Sequence, residues 1–236
     1  MFSYIHIPFC ESKCKYCRFA SLGSVNKALV KTYISHLLKD IHDFKRPEWN
    51  TSGLLRSIYF WWGTPSILEE SDLEHIMNAM KSQFQFEPNI EITLETTPKN
   101  ITKENILTWE KLGVNRLSMW IQTLNHQTLN TIQRDTKEII FARLSNLENS
   151  NIWNISVDFI IGLPYVKKWE TIKDITYILE KYPFIKHISV YMLEDYYTGN
   201  EDDSNFEKIS YPKEWVALWL KEEDFLWEYL EIKRYL

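Results

Sequence analysis

Apolar and polar positions along this chain switch repeatedly between a two-residue and a 3.6-residue period. Residues 2–7 alternate around Ile5 and stop at Pro8, as a strand does. The same two-residue pattern returns at 57–60, 90–95, 116–119, 155–161 and 187–193, the fifth run closing at Gly162 and Pro164. Helical periodicity fills the gaps, at 26–44, 103–112, 126–133, 137–149 and 168–181. Two Ser-x-x-Glu capping boxes, Ser66–Glu69 and Ser71–Glu74, predict one more helix start between the second and third strands. Gly113 is placed to end the helix before it. Strand–helix units repeated in this way imply an α/β fold with a parallel sheet and right-handed crossovers. Six units are too few for a closed eight-fold barrel, so the expected architecture is a partial, open (β/α)6 TIM-like barrel. Residues 1–194 form this core in the reading. An acidic, turn-rich stretch over 195–211 reads as a linker, and 212–236 as the start of a further region, with a helix over 213–227 and a final strand over 230–236.

Charge and composition narrow the function. The 236 residues carry a net charge of −5, so no basic field invites nucleic acid. No apolar run spans a bilayer and no signal peptide opens the chain, which predicts a cytoplasmic protein. The three cysteines, Cys10, Cys14 and Cys17, lie close together just after the first strand. An odd, clustered set of this kind argues against a disulfide framework and for a reducing compartment. Three thiolates from one loop can hold three irons of a 4Fe-4S cluster and leave the fourth iron open to a ligand. Lys13, Lys15 and Arg18 supply offsetting charge. The alternative is zinc with His6 as fourth ligand, which the C-x3-C-x2-C spacing and the strand position of His6 make awkward.

The cysteine motif resembles that of the radical S-adenosylmethionine (SAM) superfamily. Its flanks, Tyr4-Ile5-His6-Ile7-Pro8-Phe9-Cys10, Gly63-Thr64-Pro65-Ser66, Glu91-Ile92-Thr93-Leu94-Glu95, Asn115-Arg116-Leu117-Ser118 and Asp158 to Pro164, resemble the oxygen-independent coproporphyrinogen III oxidase family. The fit is better to its heme-chaperone branch, because Cys17 is followed by Arg18-Phe19-Ala20 rather than by a further cysteine. The resemblance implies a radical SAM core in which Cys10, Cys14 and Cys17 hold the cluster. SAM would then be reductively cleaved at the open iron. Tyr4, Gly63, Thr64, Glu95, Gln122, Arg134, Asp158 and Met192 would line the SAM site, Met192 through its backbone. It also implies porphyrin or heme as the ligand handled, an electron donor, and heme-acceptor proteins as partners. Two roles stay open: a porphyrinogen-oxidising enzyme, or a heme-delivery protein whose SAM chemistry is secondary. A degenerate paralogue with a cluster and no SAM site is the third. The branch's heme motif lies in a C-terminal domain that this reading finds largely missing. The resulting exposed apolar surface over 225–236 predicts poor solubility.

One departure cuts across the resemblance. Average usage would give about 17 glycines in a chain of this size, yet there are 6 Gly and 10 Trp. Trp61, Trp62, Trp120 and Trp227 stand where the family has glycine, whereas Trp169 matches a family tryptophan. UGA codons read as glycine in the native cell, and as tryptophan in translation, would produce this substitution pattern. The other reading is a diverged chain whose indoles fill the site.

Overall fold

A computed structural model describes residues 1–17, 19–24, 26–45, 54–193 and 222–236. Among these, six strands form one parallel sheet in the order β1 (Phe2–His6), β4 (Leu54–Trp61), β5 (Gln85–Thr96), β6 (Arg116–Gln122), β7 (Asn154–Ile161) and β8 (Ile185–Met192). All six predicted strands are present, each within a few residues of its expected span. β1 and β8 are the open edges, so the sheet is a six-stranded open array. Two short strands carry no sequence pattern that would predict them. β2 (Phe9–Cys10) and β3 (Leu22–Gly23) pair in parallel and close the base of the cysteine loop.

Strand alternation separates two faces. Ile58, Phe60, Ile92, Leu94, Leu117, Met119, Val157 and Phe159 point one way and are buried in the main core. They pack beneath α1 (Lys27–Asp43), α2 (Glu70–Gln83), α3 (Lys103–Leu112) and their successors α4 (His126–Thr131), α5 (Lys137–Leu147) and α6 (Glu170–Lys181). The intervening residues, including Tyr59, Glu95, Arg116, Ser118 and Asp158, form a polar face. This division puts the core on the helix side and leaves the other side for chemistry.

Local signals explain most helix starts. Asn26 caps α1 through Leu29 N–H at 2.8 Å, and Thr102 caps α3 through Asn105 N–H. Neither expected capping box forms. Ser66 lies in a short 3₁₀ turn, Pro65–Ile67, where its hydroxyl accepts from Asn100 at 3.0 Å. Ser71 lies inside α2, and Glu69 at its N-cap is held instead by Lys27 and Lys31 at 2.7 and 2.9 Å. Tertiary partners outcompete the local box.

The predicted final strand over 230–236 is also corrected, because α7 (Glu222–Tyr235) covers it. Its buried residues Glu228 and Ile232 are four apart, which is a helical spacing. The predicted linker over 195–211, and the helix over 213–227 up to residue 221, lie outside the described residues. α7 docks on the core through buried Ile232 and through three further side chains. Glu228 Oε1 accepts from Thr171 N–H at 3.0 Å and so caps the first turn of α6. Lys168 pairs with Asp224 at 2.5 Å. The Phe225 ring rests on Gly162, whose φ is +86° and whose absent Cβ would lie 1.8 Å from that ring. Gly162→Ala is therefore expected to push Phe225 aside and destabilise the protein by roughly 1–3 kcal/mol. Urea melts of the single variant and of Gly162→Ala with Phe225→Ala test this. An equal penalty in both backgrounds would show that the ring contact is irrelevant. Leu226, Trp227, Tyr235 and Leu236 remain exposed on the outer side of α7.

Candidate SAM and cluster site

The site starts at the end of β1. Ile7 N–H donates to Trp61 O at 3.0 Å, and Thr64 N–H donates to Phe9 O at 2.7 Å. The turn after β4 is thereby laced to the strand that leads into the cysteines. Gly63 sits at the crossing with φ +55°, and a Cβ there would lie 2.3 Å from Ile7 O and 2.6 Å from both Phe9 N and Phe9 O. Only glycine fits. Beyond it the loop carries Cys10, buried, and Cys14 and Cys17, half-buried, with Cys17 N–H turned onto Cys14 O at 3.0 Å.

A cavity of about 250 Å³ opens between this loop and the C-terminal ends of the strands. Cys10, Cys14, Cys17, Gly63, Thr64, Glu95, Gln122, Arg134, Asp158 and Met192 all line it. These residues come from separate segments of the chain, and strand ends bring them together. Tyr4 is the one candidate outside the lining. It is half-exposed, and its ring meets Trp61 edge-on at 5.7 Å. Tyr16, Ser21 and Tyr191 also line the cavity, and the sequence reading does not single them out. Strand alternation alone places Tyr191 on the face of Asp158, through the Asp158–Ser189 register. His6 and His187, read as strand residues rather than ligands, lie outside the lining as well.

Burial dominates the electrostatics. Glu95 is pushed up to about 9, by desolvation first and by the Asp158 charge second. Tyr59 donates to its Oε1 at 3.3 Å, while Oε2 is buried with no hydrogen-bond partner. Asp158 is raised by burial to about 6, and the Ser189 and Ser118 hydroxyls hold it lower than burial alone would. Burial also raises the Cys10 and Cys17 thiols. Arg134 carries two buried nitrogens, Nε and Nη2, without a hydrogen-bond partner, and its guanidinium lies 5.4 Å from the Trp120 ring.

The donor set fits a cluster with a small polar ligand beside it. Three free thiols line the cavity, and three thiolates are the protein donors that a 4Fe-4S cluster with one open iron requires. Among the described residues, no three His, Cys, Asp or Glu side chains are gathered where a single ion would sit. An orphaned carboxyl oxygen and two orphaned guanidinium nitrogens mark places where a ligand's own polar groups would complete the bonding.

Known proteins place the chain in a family. The Radical SAM superfamily profile matches residues 4–178. The heme chaperone HemW of Buchnera aphidicola (Acyrthosiphon pisum) is 34% identical over 193 residues, covering 80% of this chain and 50% of the relative. The oxygen-independent coproporphyrinogen III oxidase of Synechocystis is 29% identical over 169 residues, covering 69% of this chain and 35% of the relative. The solved coproporphyrinogen III oxidase (HemN) of Escherichia coli superposes with a TM-score of 0.78 at 22% identity, over 98% of this chain and 51% of that one. The chain thus spans about half the length of the curated relatives it matches. With the profile, the thiol loop and the parallel sheet in agreement, this chain belongs to the Radical SAM superfamily.

Proposed function

We propose that the chain holds a 4Fe-4S cluster on Cys10, Cys14 and Cys17 and SAM in the adjoining cavity. In this reading it is a heme-chaperone-like member of its family, working in heme or porphyrin metabolism. The supporting observation is that three free cysteines and the orphaned groups of Glu95 and Arg134 share one cavity. Such a cluster supplies one-electron reductive cleavage of SAM. The protein's own residues position and exclude. Arg134 offers unpaired donors to an anionic or hydroxylated part of the ligand, and Glu95 and Asp158 present carboxyl oxygens from β5 and β7. Ile160 and Leu193 supply the apolar wall that keeps water away. The cofactor carries the chemistry, and the fold aims it. Tyr4 belongs to this SAM site only if the space filled by Trp61 is available to the ligand. An electron donor and heme-acceptor proteins are the partners this reading needs. A cytoplasmic setting suits it, and no described helix is long and apolar enough to cross a membrane.

Anaerobic reconstitution with iron and sulfide tests the reading. About four irons per chain are expected, and Cys10→Ala, Cys14→Ala or Cys17→Ala should each remove the intact cluster. Zinc retention at one ion per chain, or full iron loading in all three variants, would falsify it. The coproporphyrinogen-oxidising alternative is favoured by the Synechocystis and Escherichia coli oxidases among the relatives. It predicts release of 5′-deoxyadenosine that depends on added coproporphyrinogen III. A delivery protein takes up heme without such turnover. A degenerate chain would load iron and bind no SAM.

A further inference from the structure

The polar face of the sheet extends past the cavity toward the strand N-termini, and it is poorly satisfied there. Glu95, Ser118 and Ser156 form one row across β5, β6 and β7, and Thr93, Arg116 and Asn154 form the next row down. Glu95 Oε2, Ser156 Oγ and Asn154 Oδ1 are all buried without hydrogen-bond partners. Glu95 Oε2 faces the cavity, but Ser156 Oγ and Asn154 Oδ1 lie outside its lining, and native interiors rarely leave such atoms uncompleted. At the centre is Arg116, whose side chain is only 20% exposed. Its contacts are loose: Thr93 Oγ1 at 3.4 Å, Glu91 at 3.9 Å, and the Tyr59 ring at 5.8 Å. A guanidinium has five donors in a fixed fork, and these contacts leave most of them unused. Glu91, its one acidic partner, is nearly half-exposed and too distant for a bidentate pair. Glu95 and Asp158 both feel the Arg116 charge, but neither is within ion-pair distance of it, and Asp158 already accepts from the Ser118 hydroxyl.

We propose that Arg116 anchors a carboxylate of the substrate on this face, beside the SAM cavity, and so acts as a specificity-determining residue. The inference rests on the reading of the chain as a tetrapyrrole-handling radical SAM protein. Heme and coproporphyrinogen III, named for the relatives, both carry propionate carboxylates. SAM also carries a carboxylate, so the test separates the two sources.

Reconstituted protein is titrated with coproporphyrin III, with its tetramethyl ester, and with SAM. The wild type is expected to prefer the free acid over the ester. Arg116→Gln should cut free-acid affinity by about tenfold or more and leave ester and SAM affinities unchanged. Arg116→Lys, which keeps the charge but loses the fork, should fall between and guards against misfolding of the glutamine variant. Iron content confirms that each variant is loaded. Equal binding of acid and ester, binding of neither while SAM still binds, or an unchanged preference in Arg116→Gln overturns the proposal and leaves the SAM reading standing. A loss confined to SAM affinity also overturns it and reassigns Arg116 to the SAM carboxylate. Failure to bind SAM even with Trp61→Gly, Trp62→Gly and Trp120→Gly in place overturns the functional reading itself.

Discussion

Peptides of this protein from its native cell are expected to weigh as glycine, not tryptophan, at positions 61, 62 and 120, and the matching codons to be UGA. Backbone conformation gives the first reason. Trp62 holds φ +64° immediately before Gly63 at +55°, two successive residues in the left-handed region. A bulky side chain there costs about 1–2 kcal/mol, and glycine pays nothing. Space gives the second. Trp61 and Trp120 both line the cavity, which at about 250 Å³ is small for a cofactor site. Ligand pockets commonly run from about 300 Å³ upward, and two indoles removed would bring this one into that range. Placement gives the third. Tryptophan is ordinarily among the most buried side chains, yet of the described tryptophans only Trp109 belongs to the core, while Trp61, Trp153 and Trp227 are exposed. Trp109 is the internal control, expected to be UGG and to weigh as tryptophan. Trp169 also has a positive φ, +69°, at the N-cap of α6, but there the resemblance implies a true tryptophan. Its codon therefore separates conformation from family pattern as the better guide. For Trp227 the structure adds no steric reason, since it lies mid-helix in α7, where glycine costs about 1 kcal/mol. The functional counterpart is a chain carrying Trp61→Gly, Trp62→Gly and Trp120→Gly. It should bind SAM at least about tenfold more tightly than the tryptophan form, a difference of about 1.4 kcal/mol. UGG codons with tryptophan masses at 61, 62 and 120 would sink the idea, and a chain that binds SAM equally well either way would show that the indoles do not obstruct.

The sheet and the thiol loop were legible in the sequence because each rests on short-range chemistry. A two-residue period names a strand, and a C-x3-C-x2-C run names a loop of thiolates, wherever the rest of the chain goes. The site residues came from the family resemblance. Parallel folds gather strand ends on one rim, which agrees with placing Glu95, Gln122 and Asp158 together. What escaped depends on partners distant in sequence. Ser66 and Ser71 look like caps until Asn100, Lys27 and Lys31 claim the positions around them. The 230–236 segment looks like a strand because Leu230, Ile232 and Leu236 are apolar. It forms a helix because Glu228 and Ile232 can both be buried only at a four-residue spacing. The loose setting of Arg116 is not a sequence property at all. It follows from which atoms on Thr93, Glu91 and Tyr59 fail to come close enough.

The buried carboxyls of the site should also shape stability against pH. Glu95 ionises near pH 4.5 when exposed and near 9 in the fold, because burial and the Asp158 charge both oppose its anion. Its raised value means that the fold gains from a neutral Glu95. That gain is complete below pH 4.5 and is lost progressively as pH rises toward 9. Asp158, raised by burial to about 6 from 3.8, adds the same sign of slope over a lower window. The ligand-free protein should therefore weaken between mildly acid and mildly alkaline pH, the reverse of a protein whose carboxylates are all ion-paired. Glu95→Gln keeps the shape and removes the titration. It is expected to gain a few kcal/mol over the wild type at pH 8, with little difference at pH 4.5. Urea melts of both proteins at the two pH values measure this. Parallel pH slopes would show that Glu95 is solvated or already paired in the fold. The same substitution should weaken SAM binding, because an amide at this position offers no carboxylate for a cationic ligand group to recruit. A site residue that destabilises the protein without ligand and strengthens it with ligand is what a buried binding carboxyl should be. Gain of stability together with loss of SAM affinity in one variant would tie the orphaned oxygen on β5 to the ligand that completes it.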